Sequence, residues 1–346
     1  MENRKIDWLD NLRALATIGV IFIHVSSDYQ PESGTISLFS FWSGNIFCSL
    51  SRFSVPVFVM ISGALLLRKE EPLAAFLKKR LTRLLYPFLF WSLIYILKSV
   101  SDHVADGAHY DFYSLLKEAV FKLRDGASLH FWYIYMIVGV YLFVPIIGKW
   151  IRHSTRKEQI YFLCIWLVTM VVQQPALEIF KPAVDLRYFS GFLGYLVLGY
   201  FLAESKFRTV RLKHVLGICC LLLGGSVTIF GTYYVLLTTG KYTSVFYEPL
   251  SPNILLYAAG IFLLFMDARI GWGAFVKLRN LISKYSYGIY LVHVMIFFQL
   301  GDYGLNWSFI NPLIGIPLTA VVCLLLSLLI VFGVHKIPRI GTFISG

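Results

Sequence analysis

An arginine and a histidine in the first hydrophobic segment are the side chains best placed to do chemistry. Arg13 and His24 are eleven residues apart, close to three whole helical turns, so both project from one side of a helix. Along the helix axis they lie about 16 Å apart. Arg13 is a permanent cation and His24 a base that titrates near neutral pH, and ionisable groups inside a membrane indicate function. Asp28, one turn beyond His24, is a candidate for orienting the imidazole, and the alternative role for His24 is an interhelical hydrogen bond.

Arg52 places another permanent cation inside a predicted membrane span. Asn45, Ser49 and Arg52 share one helical face. Pro56 has no N–H to donate to the carbonyl of Arg52, and a broken helix with a polar face is expected beside a cavity rather than beside lipid. The alternative is a structural arginine bonded to backbone carbonyls.

Arg80 and Arg83 stand at positions i and i+3 at the mouth of the next span, so they occupy neighbouring positions on one helical face. Paired guanidinium groups suit phosphate, because they are planar, always charged and able to bind it through two hydrogen bonds. The alternative is charge that sets membrane topology or contacts anionic lipid.

Weaker polar positions complete a predicted polar interior. His130 opens a later span and Trp132 follows it, while Tyr290 and His293 fall on one stripe of the ninth predicted span together with Ser286. All 19 acidic residues lie in predicted loops or at span ends. A coupled transporter usually carries a buried carboxylate, so this distribution disfavours one. The sequence has no metal-ligand spacing, phosphate-binding loop or nucleophile elbow, and its five cysteines are expected to be small apolar residues.

The elements that must position these groups are membrane helices. The chain has 346 residues, of which 58% are hydrophobic and 14% charged, with a mean hydropathy of +0.70, and this composition excludes a soluble globular protein. Apolar runs predict an all-α, polytopic protein of about ten transmembrane helices, expected to form one domain over residues 1–346. The predicted spans are 12–28, 41–67, 84–101, 128–149, 159–174, 188–204, 214–237, 253–268, 286–301 and 312–334. Amphipathic spacing predicts two surface helices, over residues 111–121 and 272–281.

The basic residues are distributed unevenly between the two sides of the predicted membrane. Of 31 Lys and Arg residues, 23 fall on the side of the N-terminus and seven on the other side, and Arg52 lies within a span. The positive-inside rule therefore predicts that both termini are cytoplasmic. Topology explains most of the net charge of +12, so no nucleic-acid partner is expected. No cleavage site follows the first apolar segment, which is expected to remain as a signal anchor.

Several segments occur in an order that resembles the integral-membrane acyltransferase-3 family. They are Asp10–Arg13 with His24, Ser54–Gly63, Lys79–Pro87, His130–Pro145 and Ser286–His293, and together they span about residues 7–295. The chain is most similar to the short stand-alone members that O-acetylate surface glycans such as enterobacterial common antigen. The resemblance is to members that are expected to have no soluble C-terminal domain of the kind that some relatives carry. Residues 58–63 read Phe-Val-Met-Ile-Ser-Gly, a conservative departure from the common Phe-Phe-x-x-Ser-Gly.

The resemblance implies a multi-pass enzyme of the cytoplasmic (inner) membrane that uses cytoplasmic acyl-CoA. It implies transfer of an acyl group, usually acetyl, to a hydroxyl of an extracytoplasmic surface glycan or lipid-linked sugar. Arg13 and His24 would belong to the active site, and Arg80 and Arg83, with Arg13, would bind the donor. Acetyl-CoA is then the expected acyl donor, with no metal, and membrane lipids are the remaining expected partner.

On this basis His24 is expected to act as general base on the acceptor hydroxyl, and Arg52 or a nearby polar group to stabilise the oxyanion. An acyl-histidine intermediate is the competing route. The side chains expected to line the substrate cavity are Ser62, His130, Trp132, Tyr290 and His293. Two alternatives stay open: a transporter or export component for a polysaccharide or lipid-linked sugar, and an acyltransferase serving peptide or amino-acid metabolism.

Overall fold

The computed structural model describes residues 7–27, 37–175, 177, 191–268, 271 and 273–346. Within these ranges the chain is helical and forms no strand, which confirms the predicted all-α fold. Asp28 and Trp272 lie outside the described residues. The α-helices of the described part are α1 Asp7–Ser27, α2 Leu38–Ser51, α3 Ser54–Leu66, α4 Leu73–Ala105, α5 Phe112–Asp125, α6 Trp132–His153, α7 Arg156–Val172, α8 Leu193–Ala203, α9 Val210–Thr239, α10 Pro252–Phe265, α11 Gly273–Lys284, α12 Ser286–Asp302, α13 Pro312–His335 and α14 Gly341–Ile344.

Each of the ten predicted spans overlaps a helix, but fewer of these helices can cross a membrane. In the described part of the chain, seven helical stretches are long and apolar enough, or eight if the bent pair α11–α12 counts as one span. The predicted spans that fall short by length are α7 with 17 residues, α8 with 11 and α12 with 17. These three helices are shorter than the roughly 20 residues needed to cross the hydrocarbon core, so the described residues support seven or eight spans, and the total of about ten stays a prediction.

The span that carries Arg52 is broken at that residue. Helix α2 ends at Ser51 and α3 begins at Ser54, and together they form a stretch of 29 residues. Pro56 lies in the first turn of α3, where its missing N–H is tolerated. On the same face as Arg52, Asn45 and Ser49 are completely buried, so this face points inward as the sequence predicts.

Helix α8 packs on α3 through very close backbone contacts. A Cβ atom added at Gly63 would lie 1.8 Å from the carbonyl oxygen of Leu196, and one added at Gly199 would lie 2.1 Å from that of Met60. Only glycine allows such an approach at these two positions. The contact explains how the short helix α8 is held in the bundle, and it fixes α3, whose C-terminal half borders the site described below.

The predicted amphipathic segments form helices α5 and α11. Helix α5 buries none of its residues, whereas α11 meets α12 at an angle of 82° and packs against the start of α1. Arg279 of α11 is 4% exposed and donates hydrogen bonds to Oδ1 of Asn11 at 2.8 Å and to Oδ1 of Asp7 at 3.2 Å. This contact holds α11 against the first turns of α1, next to Arg13.

Candidate active site

A cavity of about 490 Å³ opens among α1, α3, α4, α6, α11 and α12. Its basic side chains are Arg13, Lys69, Arg80, Arg83 and Lys284, and no carboxylate side chain is among the described residues that line it. We call it the basic cavity, and the end of the bundle where these cations lie the basic end. A cavity lined by five cations suits an anionic ligand.

Two smaller cavities adjoin the basic cavity. One, of about 200 Å³, shares Lys69 and Arg80 with it and adds the cations Lys149 and Arg152 and the carboxylates Glu70 and Glu71. The other, of about 390 Å³, shares Arg83 and Lys284. The two arginines of α4 therefore border different side chambers, and the space available to a ligand at the basic end is branched.

Arg80 and Arg83 have no hydrogen-bond or ion-pair partner among the described residues. Arg80 lies 5.9 Å from the ring centre of Phe76, and its Nε is buried without a partner. Other arginines of this end are paired: Arg68 with the carboxylate of Glu204, and Arg152 with the backbone carbonyls of residues 67 and 69. Because paired arginines stabilise the protein's own structure, the unpaired two are the ones available to a ligand.

Arg13 is oriented by two neighbours. Its Nη1 donates to Oδ1 of Asp10 at 3.0 Å and to Oγ of Ser283 at 3.0 Å, while Ser283 Oγ donates to the same Asp10 oxygen at 2.6 Å. The side chain is 27% exposed and borders the basic cavity. Ser283 was not predicted from the sequence, because it is distant in the chain and belongs to α11, which meets α12 at a bend. These bonds fix the guanidinium at the junction of α1 and α11.

The inner end of the basic cavity is formed by aromatic side chains, which we call the aromatic wall: Phe58, Tyr133 and Tyr290. The rings of Tyr133 and Tyr290 are 5.3 Å apart, and those of Phe58 and Tyr133 are 6.2 Å apart. Ser62 lines the cavity beside this wall and donates its Oγ hydrogen to the carbonyl oxygen of Phe58 at 3.1 Å. The predictions that Ser62 and Tyr290 line the cavity agree with this geometry.

Behind Tyr290 lie three imidazoles, which we call the histidine cluster: His24, His130 and His293. The ring centres are 5.1 Å apart for His24 and His293, 5.0 Å for His130 and His293, and 5.9 Å for His24 and His130. His130 and His293 are 2% and 0% exposed, and neither they nor His24 line the basic cavity. The Tyr290 ring is 5.1 Å from His130 and 5.8 Å from His293, and its hydroxyl donates to the His130 carbonyl oxygen. Tyr290 thus separates cavity from cluster.

The three histidines come from distant parts of the chain. His24 is in α1, His130 lies in the 3-10 turn Leu129–Phe131 that precedes α6, and His293 is in α12. Each was identified in the sequence, but their mutual contact was not, because no local pattern links them. In the described part of the chain, no group of three His, Cys, Asp or Glu side chains is arranged to hold a metal ion. The cluster therefore brings imidazoles together as ring neighbours and not as a ligand set.

Arg52 lies beyond the histidine cluster, away from the basic end. Its Nη2 donates to Oγ of Ser27 at 3.3 Å, one helical turn after His24, and to Sγ of Cys48 at 2.9 Å. The guanidinium also stacks on the ring of Tyr247 at 4.5 Å, while its Nε is buried without a partner. Among the described residues, the Arg52 guanidinium therefore bonds to side chains and to no backbone carbonyl, which disfavours the structural alternative raised for it.

Trp132, like His130 and His293, is among the side chains predicted to line the substrate cavity but does not line the basic cavity. Its side chain is 44% exposed, and its ring contacts Tyr133 and Phe192 and does not line the basic cavity. A substrate contact by Trp132 stays a prediction. The helical turn at the start of α6 directs Tyr133, the next residue, toward the cavity instead.

The distribution of these residues along the chain agrees with one family of membrane enzymes. A family model described as an acyltransferase domain, of the acyltransferase-3 type, matches residues 6–332. The chain belongs to the acyltransferase-3 family. Neither the search of curated proteins nor that of solved structures gave a match.

As an acyltransferase-3 protein with seven or eight candidate spans, the chain is a multi-pass membrane acyltransferase. The matched range contains the residues that line the basic cavity, apart from Gly346, and the whole histidine cluster. The acyltransferase-3 domain therefore includes both the basic cavity and the histidine cluster behind it.

Proposed function

We propose that this acyltransferase transfers an acyl group, acetyl in the simplest case, from acyl-CoA to a hydroxyl of an extracytoplasmic glycan or lipid-linked sugar. The observation that carries the proposal is the basic cavity, in which Arg80 and Arg83 face a space lined by no carboxylate side chain among the described residues. The phosphates of CoA are a matching polyanion, and guanidinium groups bind phosphate in bidentate fashion. A cavity of about 490 Å³ is also in the range of ligand sites.

The orientation of the reaction follows from the charge asymmetry of the sequence. With the basic end in the cytoplasm, the nucleotide part of acyl-CoA meets Arg80, Arg83 and the adjoining side chambers. The pantetheine arm then extends along α1 from Arg13 toward His24, an axial distance of about 16 Å. The thioester reaches the aromatic wall, and rearrangement of Tyr290 brings it to the histidine cluster.

His24 is the reacting imidazole in this proposal. It is partly exposed and has no hydrogen-bond partner among the described residues, so its ring is free to meet a substrate. It acts either as general base on the acceptor hydroxyl or as the nucleophile that forms an acyl-histidine. Arg52, one turn farther out, offers its unpartnered Nε to the negative charge that develops on the carbonyl oxygen. A burst of CoA release would identify the acyl-histidine route.

The donor site can be tested without knowing the acceptor. The protein, purified in detergent, is titrated with acetyl-CoA while its thermal stability is measured, for the wild type and for the R80A/R83A double variant. A ligand that binds only the folded state adds about 2.7 kcal/mol at 100 times its dissociation constant. We expect saturable stabilisation of the wild type and loss of most of it in R80A/R83A.

The K78A/K79A double variant is the matched control. It removes the same charge from the same turns of α4, but Lys78 and Lys79 do not line the basic cavity. It should bind acetyl-CoA like the wild type. Equal loss in both double variants would show that net charge, and not the cavity, attracts the ligand. No stabilisation of the wild type at millimolar acetyl-CoA, together with flux of an unmodified glycan, would favour the transporter alternative.

A further inference from the structure

His293 carries a lone pair that the protein itself does not use. Its Nδ1 lies 2.7 Å from the carbonyl oxygen of Tyr290. A carbonyl oxygen only accepts, so Nδ1 bears the hydrogen and Nε2 of the neutral ring has a free lone pair. This Nε2 is completely buried and has no hydrogen-bond partner. Because buried polar atoms are nearly always paired, an orphan of this kind calls for a functional explanation.

A second orphan nitrogen lies in the same cluster. Nδ1 of His130 is 3.0 Å from Oγ of Ser128, whereas its Nε2 is buried without a partner. Neither ring is hydrogen-bonded to an Asp or Glu among the described residues. Among the described residues, two imidazoles lie beside the His24 ring, and that of His293 is the closer, with ring centres 5.1 Å apart against 5.9 Å for His130.

We propose that His293 is the proton-accepting partner of His24. This inference rests on the proposed function and assigns a role that the basic cavity does not imply. When His24 takes the proton of the attacking hydroxyl, or becomes acylated, the proton on its second ring nitrogen passes to Nε2 of His293. His130 is the third ring of the cluster, within 5.0 Å of His293.

The proton balance of the reaction follows from this assignment. The acceptor O–H bond and the thioester C–S bond break, and the ester C–O bond and the S–H bond of CoA form. The hydroxyl proton goes to His24, is held by the His24–His293 pair, and ends on the CoA sulfur. Sharing the charge between two imidazoles avoids a single isolated imidazolium in a buried site.

The test separates this role from the structural one. H293N keeps an amide N–H near the position of Nδ1, so the bond to the Tyr290 carbonyl oxygen can persist, but it has no titratable nitrogen in place of Nε2. The probe is acetyl-CoA with water as the smallest hydroxyl acceptor, and release of CoA thiol is followed with purified protein. Binding of acetyl-CoA is measured in parallel by thermal stabilisation.

We expect H293N to bind acetyl-CoA as the wild type does, with unchanged KM, while kcat falls on the order of 100-fold or more. A purely structural residue would not produce this division between kcat and KM. H153N is the matched control, because Nδ1 of His153 makes the same type of bond, 2.8 Å to the carbonyl oxygen of Lys149, far from the cluster. It should keep the wild-type rate.

A wild-type kcat in H293N with intact binding would overturn the role of His293 and leave the proposed function standing. If H293N loses both acetyl-CoA binding and kcat, the proposed role of His293 is also overturned, because its role would then be structural. If H293N does not fold, H293Q is measured with the same criteria, because glutamine likewise lacks a titratable nitrogen. A wild type that neither binds acetyl-CoA nor releases thiol would refute the proposed function, and this inference with it.

Discussion

Replacing Ser283 by alanine tests whether the contact between α1 and α11 prepares Arg13 for the donor. The change removes two hydrogen bonds, one from Arg13 Nη1 at 3.0 Å and one to Asp10 Oδ1 at 2.6 Å. The direct bond between Arg13 and Asp10 remains, so no charge is left buried and unpaired. A hydrogen bond to a charged group contributes about 1.5–3 kcal/mol, and less where water can replace it. Because Arg13 and Asp10 are both partly exposed, we expect S283A to lower the free energy of unfolding by about 1–2 kcal/mol.

S283A should also weaken the binding of acetyl-CoA to the folded protein, in addition to lowering its stability. Without Ser283, Arg13 is held only by its own helix, and ordering its side chain then opposes binding. A loss of about 1.4 kcal/mol corresponds to a tenfold rise in the acetyl-CoA dissociation constant. The assay is the acetyl-CoA titration of thermal stability, with S308A as control, since Ser308 is exposed and bonds only to its neighbour Asn306. An S283A protein with wild-type stability and wild-type affinity would refute the reasoning that Ser283 positions Arg13.

Two other substitutions test the fold around the site. G63A places a Cβ 1.8 Å from the carbonyl oxygen of Leu196, so α3 and α8 must separate. The yield of folded protein and its unfolding temperature should fall sharply. G139A is the control, because a Cβ added at Gly139 meets no atom within 4 Å, and it should behave like the wild type. Y290F keeps the aromatic wall but removes the hydrogen bond to the His130 carbonyl oxygen, which still accepts from the backbone N–H of Trp132, and should cost about 0.5–1.5 kcal/mol in unfolding free energy. An unchanged Y290F denaturation midpoint would contradict this assignment of the bond.

The helices were predictable because a membrane helix is specified by a long apolar run. The ten predicted spans all overlap helices, but run length does not reveal which helices cross the membrane. Helix α8 reads as the centre of an apolar span, yet only 11 residues are helical in the described part, and the short helix is held by its contact with α3. Side-to-side packing of this kind depends on small residues in two distant segments, which a hydropathy pattern does not show.

The site was predictable residue by residue, but its assembly was not. Ser286, Tyr290 and His293 fall on one predicted stripe, and extending that stripe back by one turn would reach Ser283. That extension assumes a straight helix, whereas the chain bends by 82° between α11 and α12. The bond from Arg13 to Ser283 joins residues 270 apart in sequence and depends on that bend. Only the packing of α1 against both helices, at the basic end and in the histidine cluster, determines which side chains meet.

The arginines show why charge alone could not separate binding from topology. The positive-inside distribution accounts for Arg68, Arg80, Arg83 and Arg152 equally well. In the structure Arg68 and Arg152 are engaged by a carboxylate and by backbone carbonyls, whereas Arg80 and Arg83 face the basic cavity without partners among the described residues. An arginine that has already exchanged its hydration for protein partners gains little from a phosphate, while an unpaired one keeps its full hydrogen-bonding capacity. It follows that R80A/R83A should abolish donor binding at little cost in stability, whereas removal of Arg152 should destabilise the turn between α3 and α4.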